Sequence, residues 1–573
     1  MKKARKILSI LLILLLLPTA VLPAQAEKST GLVRVLLTRL NLTDRAEIAL
    51  DGSYTLNDLA FQRGSHVTVA LSGASLYVYY EGMAFNAGNQ LTFVRHKVDG
   101  YQENGFRVNG AYELHPGDLR LTVQNGQLQA ILIAPVEEYL LGVVPYEMSD
   151  SFPIEALKAQ AIAARTYVLR RAQANKKQNY DVVDNTNDQA YYGVKKEHQN
   201  AAQAVKATEG LCGTYKGQLA ECFYSASNGG QTEIPLHVWG KGDYGYLTMV
   251  DDPYDLENKE SSVKSASFPK ELTNNDGLGA LKTPILSILS ETVENMGYDG
   301  DMEHIRVTGI DSAEVALPLY TDSPSKIMTL LRLSLTVQAR KLIEEDDEED
   351  VSIFSYPDIS TPSPKASEKK ETWSQIQPLP QPVTVALDIF PLVESALGLS
   401  INGGSNEIMT IRETNSAFIL ESRRYGHGVG MSQRGAQRMA EGYKWTYEQI
   451  LRFYYPGMSL SRYNYTFALP AALSQQFLAT PGPAATPTPR PTLMPLSVTP
   501  GPGQYTVSVT NIGVNSYLNL RAEANTQSAV LRQLYYGQKL LVLQDLGDWL
   551  LVRTDDATGY VMTDFVRKNE AKE

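Results

Sequence analysis

Between residue 33 and about residue 136, apolar and polar positions alternate in short runs, as in Val67-Thr68-Val69-Ala70-Leu71 and Leu119-Arg120-Leu121-Thr122-Val123, with Gly, Asn and Asp between them. A period of two sends successive side chains to opposite faces of a strand, so this stretch predicts many short antiparallel strands. The period changes over residues 153–174, which are alanine-rich and carry Leu157, Ala161, Ala164 and Val168 as one helical stripe. Proline is tolerated in a helix's first turn, where its missing N–H has no partner to lose, so Pro153 marks where this helix starts. A short apolar helix is expected near residues 389–399, followed by strands, a glycine-rich segment ending at Gln433 and a second helix. The pattern as a whole is α+β and rich in strand.

Composition divides the chain. Lys2, Lys3, Arg5 and Lys6 precede an apolar run from Ile7 to Leu17 and then Ala24-Gln25-Ala26, which reads as a signal peptide over residues 1–26 and a secreted product. The alternative is a retained N-terminal membrane anchor, because Pro18 to Leu22 lengthens the run toward the roughly 20 residues that span a bilayer. Both readings put the folded part outside the membrane. Residues 31–256 form the first part of the main domain. Residues 257–382, with an acidic run and the proline clusters Thr361-Pro362-Ser363-Pro364 and Pro378-Leu379-Pro380, read as a partly disordered insertion. Residues 383–470 complete the domain, 479–503 form a stiff Pro/Thr-rich tether, and 504–568 are strand-like and long enough for a small barrel.

The net charge is −11, but Glu344 to Asp350 contribute seven of the negative charges, which leaves −4 for the rest. A nearly balanced surface lacks the basic clusters that phosphates demand, which argues against nucleic acid and suits an uncharged ligand such as a glycan. The 32 tyrosines supply flat rings with a polar tip, fit for sugar faces or for packing on strands. Cys212 and Cys222 flank a predicted hairpin, and a three-residue loop from Lys216 to Gln218 would set them opposite each other. A cross-strand disulfide, two buried thiols and half of a metal site all fit this placement, although no ligand-like histidine spacing lies nearby.

Familiar catalytic signatures are missing. No H-E-x-x-H helix and no G-x-S-x-G elbow occurs, and Gly426, Gly428 and Gly430 fail the dinucleotide pattern because position 433 is Gln. Ser323-Pro324-Ser325-Lys326 matches Ser-x-x-Lys only at chance expectation. One carboxylate stands out. Gly142-Val143-Val144-Pro145-Tyr146-Glu147-Met148 runs from an apolar strand into the turn before the alanine-rich helix, at the rim of a core. Apolar neighbours raise a carboxyl pKa, as a general acid working near neutral pH requires. The plainer alternative is an exposed turn glutamate at a helix N-terminus, and Glu155 in the helix's first turn is a weaker candidate still.

Other residues collect around this one as candidate ligand contacts. Gln160 and Tyr167, seven apart, share a helix face with Arg165 near it. Ser225, Ser227 and Asn228 lie in a run of small hydroxyl and amide residues, with glycines that let a ligand approach the backbone. His427 stands between two glycines, followed by Gln433. Each also has a bland reading, as a helix surface, a plain loop or a structural histidine.

Four blocks together resemble the stage II sporulation protein D family, also called the amidase-enhancer family. They are Glu138 to Met148, Pro153 to Tyr167, Ser225 to Thr232 with Trp239, and Tyr425 to Gln433. The resemblance spans roughly residues 33–255 and 383–463 and leaves the insertion unmatched. It implies a lytic transglycosylase that cuts peptidoglycan glycan strands stripped of stem peptides, between N-acetylmuramic acid and N-acetylglucosamine, with Glu147 as the catalytic residue and no metal or cofactor. One carboxylate can suffice because the muramic acid's own C6 hydroxyl replaces the water or second carboxylate of a hydrolase. The family's other name implies the alternative of a non-catalytic glycan-binding protein that stimulates a cell-wall amidase. Leu518-Asn519-Leu520-Arg521, Gly537, Asp548-Trp549 and Gly559-Tyr560-Val561 resemble a bacterial SH3 domain, a small all-β barrel that tethers exported enzymes to the wall. The tethered module and the acidic insertion depart from a typical sporulation protein.

Overall fold

A computed structural model describes residues 31–96, 104–343, 372–463, 465, 504–510, 518–526, 528–534, 538–554 and 557–569. The expected signal peptide, the acidic run and the Pro/Thr-rich tether lie outside these residues. Strand exceeds helix, at 40% against 22%, so the chain is the strand-rich α+β mixture that the alternation predicts. It separates into two compact units, one of Met1–Val35 with Ala134–Phe467, the other of Leu36–Ile133 with Ala468–Glu573.

In the second unit, Arg45–Leu50, Ser65–Ser72, Ser75–Tyr80, Met83–Asn86 and Phe106–Val108 form a five-stranded antiparallel sheet. The period-two signal becomes burial, since Val67, Val69, Leu76 and Val78 are all buried. Asp118–Gln124 and Gln127–Pro135 make a hairpin whose register closes at Gln124 and Gln127. Its two-residue turn needs positive φ twice, which Asn125 (53°) and Gly126 (74°) supply. Near the C-terminus, seven strands from Tyr505–Val509 to Val566–Lys568 form one sheet around Val507, Leu520, Leu540, Val552 and Val561. This is the all-β module expected there.

The first unit holds the helices: α1 (Val136–Leu140), α2 (Val144–Glu147), α3 (Ile154–Ala174), α4 (Gln199–Ala207), α5 (Pro235–Trp239), α6 (Pro253–Glu257), α7 (Lys282–Glu294), α8 (Gln433–Gly442) and α9 (Tyr447–Tyr454). Helix α3 is the predicted alanine-rich helix, with Pro153 as its N-cap residue. It is buried on nearly every side, with α1, α4, α8, α9 and strand Leu211–Tyr215 against it. Alanine permits this close approach, and it leaves polar side chains such as Gln160 and Arg165 buried along with the apolar ones. The apolar strand expected to lead into the turn at Glu147 is instead α1 followed by the short α2, which Glu147 ends.

Residues 257–382, expected as an insertion, contain α7, strand Val263–Pro269 and the long hairpin of Arg306–Pro318 with Met328–Ala339. Val383–Asp388 extends that hairpin, and Val263–Pro269 pairs with Ala417–Arg423. One core of Leu289, Val307, Leu333, Val385, Phe418 and Leu420 joins the segments on both sides of residue 383. Near residues 389–399 the expected short helix is a π-helical stretch (Ile389–Val393) that runs into a single α-helical turn (Glu394–Ala396). Phe390 precedes Pro391, whose ring clashes with a helical predecessor, and it is extended at φ −107° and ψ 123°.

The cysteine hairpin differs from expectation. Thr214 pairs with Leu219 and Tyr215 with Gln218, so the loop is the two residues Lys216 and Gly217, at φ 48° and 78°. A two-residue turn shifts the register by one, and Cys222 does not stand opposite Cys212. Both are buried free thiols. Among the described residues no cluster suits a metal ion, and no helix is long and apolar enough to cross a membrane.

Candidate active site

The site begins at Gly142. A Cβ there would lie 2.4 Å from Cε2 of the buried Tyr191 ring, so only glycine lets residues 188–193 pack against α1 and α2. Tyr192 N–H donates to the Gly142 carbonyl, and Tyr191 stacks on Tyr139 with centroids 5.3 Å apart. This docking brings Ala190 N–H to 2.7 Å from Glu147 Oε1. On the other side, Tyr224–Ser225 runs parallel to Met431–Ser432, which sets Tyr224 beside the start of α8. Ser432 caps α8 by accepting from Gly435 N–H at 2.9 Å, and the next residue, Gln433, extends its amide to Glu147 Oε2 at 3.5 Å. The Tyr224 hydroxyl also lies near the Glu147 carboxyl. That hydroxyl accepts from Gln189 Nε2 at 3.1 Å, and Gln189 Oε1 accepts from Tyr139 at 3.1 Å.

Burial pushes the Glu147 pKa up, and its polar neighbours Ala190, Tyr224 and Gln433 only partly offset it. A half-buried carboxyl in this setting keeps its proton to a higher pH than a surface glutamate does. Glu155 instead pairs with Lys158 at 2.7 Å and accepts from Tyr447 N–H, an ordinary first-turn acid.

Beyond Tyr224 lies an aromatic wall. The Phe223 ring is 4.8 Å from Trp239 and 6.2 Å from His427, and Trp239 is 5.2 Å from His427. Trp239 remains 40% exposed. Val429 N–H donates to His427 Nδ1 at 3.0 Å, which puts the ring proton on Nε2, toward the Tyr224 main chain. Burial, then the Arg424 charge, pushes His427 down to about 4. His427 is therefore a neutral packing and hydrogen-bonding residue at neutral pH. Tyr167 is buried beside Phe223, its hydroxyl donating to Asp188 at 2.7 Å, two residues from Ala190.

Several expected ligand contacts face inward instead. Arg165 is fully buried, with Nε and Nη2 bidentate on Glu137 at 2.8 and 2.7 Å, because on a helix enclosed all round no face is left for a groove. Ser227 donates to Asp255 at 2.8 Å and Asn228 to Asp252 at 2.7 Å, so neither presents a free polar edge to a sugar. Ser432 and Tyr454 complete this buried network, with 2.6 Å bonds to Asp255 and Asp252 respectively. Ser225 and Gln160 are also buried, and neither the Ser225 hydroxyl nor the Gln160 amide meets a hydrogen-bonding partner among the described residues. Ser325, from the chance-level Ser-x-x-Lys match, donates to Glu233, and Lys326 pairs with Asp251 at 2.8 Å. The sequence reading missed Tyr139, Gln189, Ala190 and Tyr224. For Gln189 and Ala190 the signal is the polar-aromatic run Asp188-Gln189-Ala190-Tyr191-Tyr192, dense in side chains that need partners when buried.

This strand-rich fold carries two recognisable domains. The family described as stage II sporulation protein matches residues 124–215, which include Glu147 and Ala190, and the bacterial SH3 domain matches residues 516–567. Among related chains, an uncharacterised protein of Brachyspira hyodysenteriae is 26% identical over 432 residues, 75% of this chain and 94% of that protein. The amidase enhancer of Bacillus subtilis is 29% identical over 324 residues, 56% of this chain and 40% of the relative. The stage II sporulation protein D of the same organism is 23% identical over 368 residues, 61% of this chain and 82% of the relative.

Proposed function

We propose that this chain acts on the bacterial cell wall as a lytic transglycosylase, cutting peptide-stripped glycan strands between N-acetylmuramic acid and N-acetylglucosamine with Glu147 as general acid and base. The observation that carries this reading is the Glu147 carboxyl itself, raised in pKa by burial yet held in one orientation by Ala190 and Gln433. Ala190 N–H donates to Oε1 and the Gln433 amide reaches Oε2, so the carboxyl is held in place while it carries its proton. From there the proton passes to the glycosidic oxygen as the bond to the anomeric carbon breaks. The muramic acid's C6 hydroxyl then attacks that carbon and returns a proton to Glu147, giving a 1,6-anhydro product without a second carboxylate. Trp239 offers a sugar face a flat, partly exposed ring. The SH3 module serves as the wall tether, and the chain works outside the cytoplasm.

The test is incubation of the purified protein with peptide-stripped glycan and mass spectrometry for 1,6-anhydromuramyl ends. Identical traces from wild type and Glu147→Gln would remove the assignment. A second reading, a non-catalytic glycan-binding enhancer of a cell-wall amidase, is favoured by the name of the Bacillus subtilis relative. It predicts amidase stimulation that survives Glu147→Gln and is lost in Trp239→Ala.

A further inference from the structure

Helix α5 is five residues long and buries only Pro235, so it cannot hold its own position. Yet it carries Trp239, the exposed ring of the aromatic wall. Besides the Phe223 and His427 rings that pack on Trp239 itself, α5 is held by the tip of the long hairpin. The Tyr320 ring stacks on His237, with centroids 3.7 Å apart and planes 6° from parallel, and its hydroxyl donates to the His237 carbonyl at 3.0 Å. Ser325 donates to Oε2 of the buried Glu233 at 2.8 Å, while Glu233 Oε1 meets His237 Nδ1 at 2.7 Å and accepts from Ile234 N–H at the entry to α5. Gln231 closes the clamp from both ends, with Nε2 donating to the Pro324 carbonyl and Oε1 accepting from Lys326 N–H.

We infer that the hairpin tip around Tyr320 and Ser325 is a clamp that positions Trp239 for glycan binding, making Tyr320 and Ser325 positioning residues that never touch the sugar. The inference rests on the glycan-binding role of Trp239 in the preceding section. Stacking costs least when both rings are already fixed, so a held α5 presents Trp239 without an ordering cost at each binding event.

The experiment measures kcat and KM on peptide-stripped glycan, and the binding constant in the Glu147→Gln background, for the full chain and its Trp239→Ala, Tyr320→Ala, Tyr320→Phe and Ser325→Ala variants. Tyr320→Ala should raise KM and Kd about three- to ten-fold with kcat little changed. Tyr320→Phe, which keeps the stack, should recover most of that loss, and Ser325→Ala should fall between them. Wild-type binding by both Tyr320→Ala and Ser325→Ala, alongside weakened binding by Trp239→Ala, would overturn the clamp and leave the glycan reading standing. Unchanged binding by Trp239→Ala would instead remove the reading beneath it. Should Tyr320→Ala melt early, Tyr320→Phe and Ser325→Ala decide the matter through the same KM and kcat split.

Discussion

The main-chain N–H of Ala190 donates to Oε1 of Glu147 across 2.7 Å, linking a loop after α3 to the end of a helix before it. That bond makes a glutamate in a short helix into an oriented carboxyl, and its consequences can be measured.

Glu147→Gln keeps the size and one acceptor oxygen but removes the transferable proton. Product formation should fall by about 10²- to 10⁴-fold, the usual worth of general acid–base catalysis. In the wild type, activity should decline as pH rises through the raised pKa of Glu147, because the proton is then lost. A flat rate profile from mildly acidic to alkaline pH would contradict this role.

Gly142→Ala tests the docking that supplies the Ala190 donor. The new Cβ would meet Tyr191, which is enclosed and cannot move aside, so residues 188–193 must shift. Overpacking of this kind costs about 1–3 kcal/mol, and a misplaced catalytic group of about 1 Å costs about a hundred-fold in rate. Denaturant melts and product assays on the same preparation should show a folded protein with little activity.

Arg165→Met should damage stability and spare ligand affinity. Removing the guanidinium strands the Glu137 carboxylate, a loss of about 3 kcal/mol for a mostly buried pair. Glycan binding measured below the shifted melting temperature should match the wild type. Weakened binding in folded protein would return Arg165 to the ligand site.

Asp252 provides a pH test of the buried network. Burial, then the neighbouring Asp255 charge, pushes it from 3.8 to about 6. A carboxyl with a raised folded pKa binds more protons folded than unfolded in that window. Its contribution is therefore most favourable below 3.8 and is lost as pH rises through about 6. Asp252→Asn cannot titrate. The melting temperature of the variant minus that of the wild type should increase between pH 4 and pH 6.5, and a constant difference would show that Asp252 ionises normally.

The sequence by itself determined what depends on near neighbours. Period-two alternation gave the strands around Val67 and Leu119, alanine at close spacing gave α3, and Asn125-Gly126 gave a tight turn, because each signal is a local backbone preference or a repeat within one element. The apolar approach to Glu147 marked the carboxyl for the same reason. Only tertiary structure decided which way side chains face once an element is enclosed on all sides. Arg165 and Tyr167 sit on a helix with no outer face, and Ser227 and Asn228 turn toward aspartates about 25 residues onward, so polarity alone could not separate them from ligand contacts. The partners of Glu147 were likewise invisible. Tyr224 reaches it through a parallel pairing with Met431–Ser432, some two hundred residues away, and Ala190 contributes only its main chain, whose hydrogen bonds no residue type reveals.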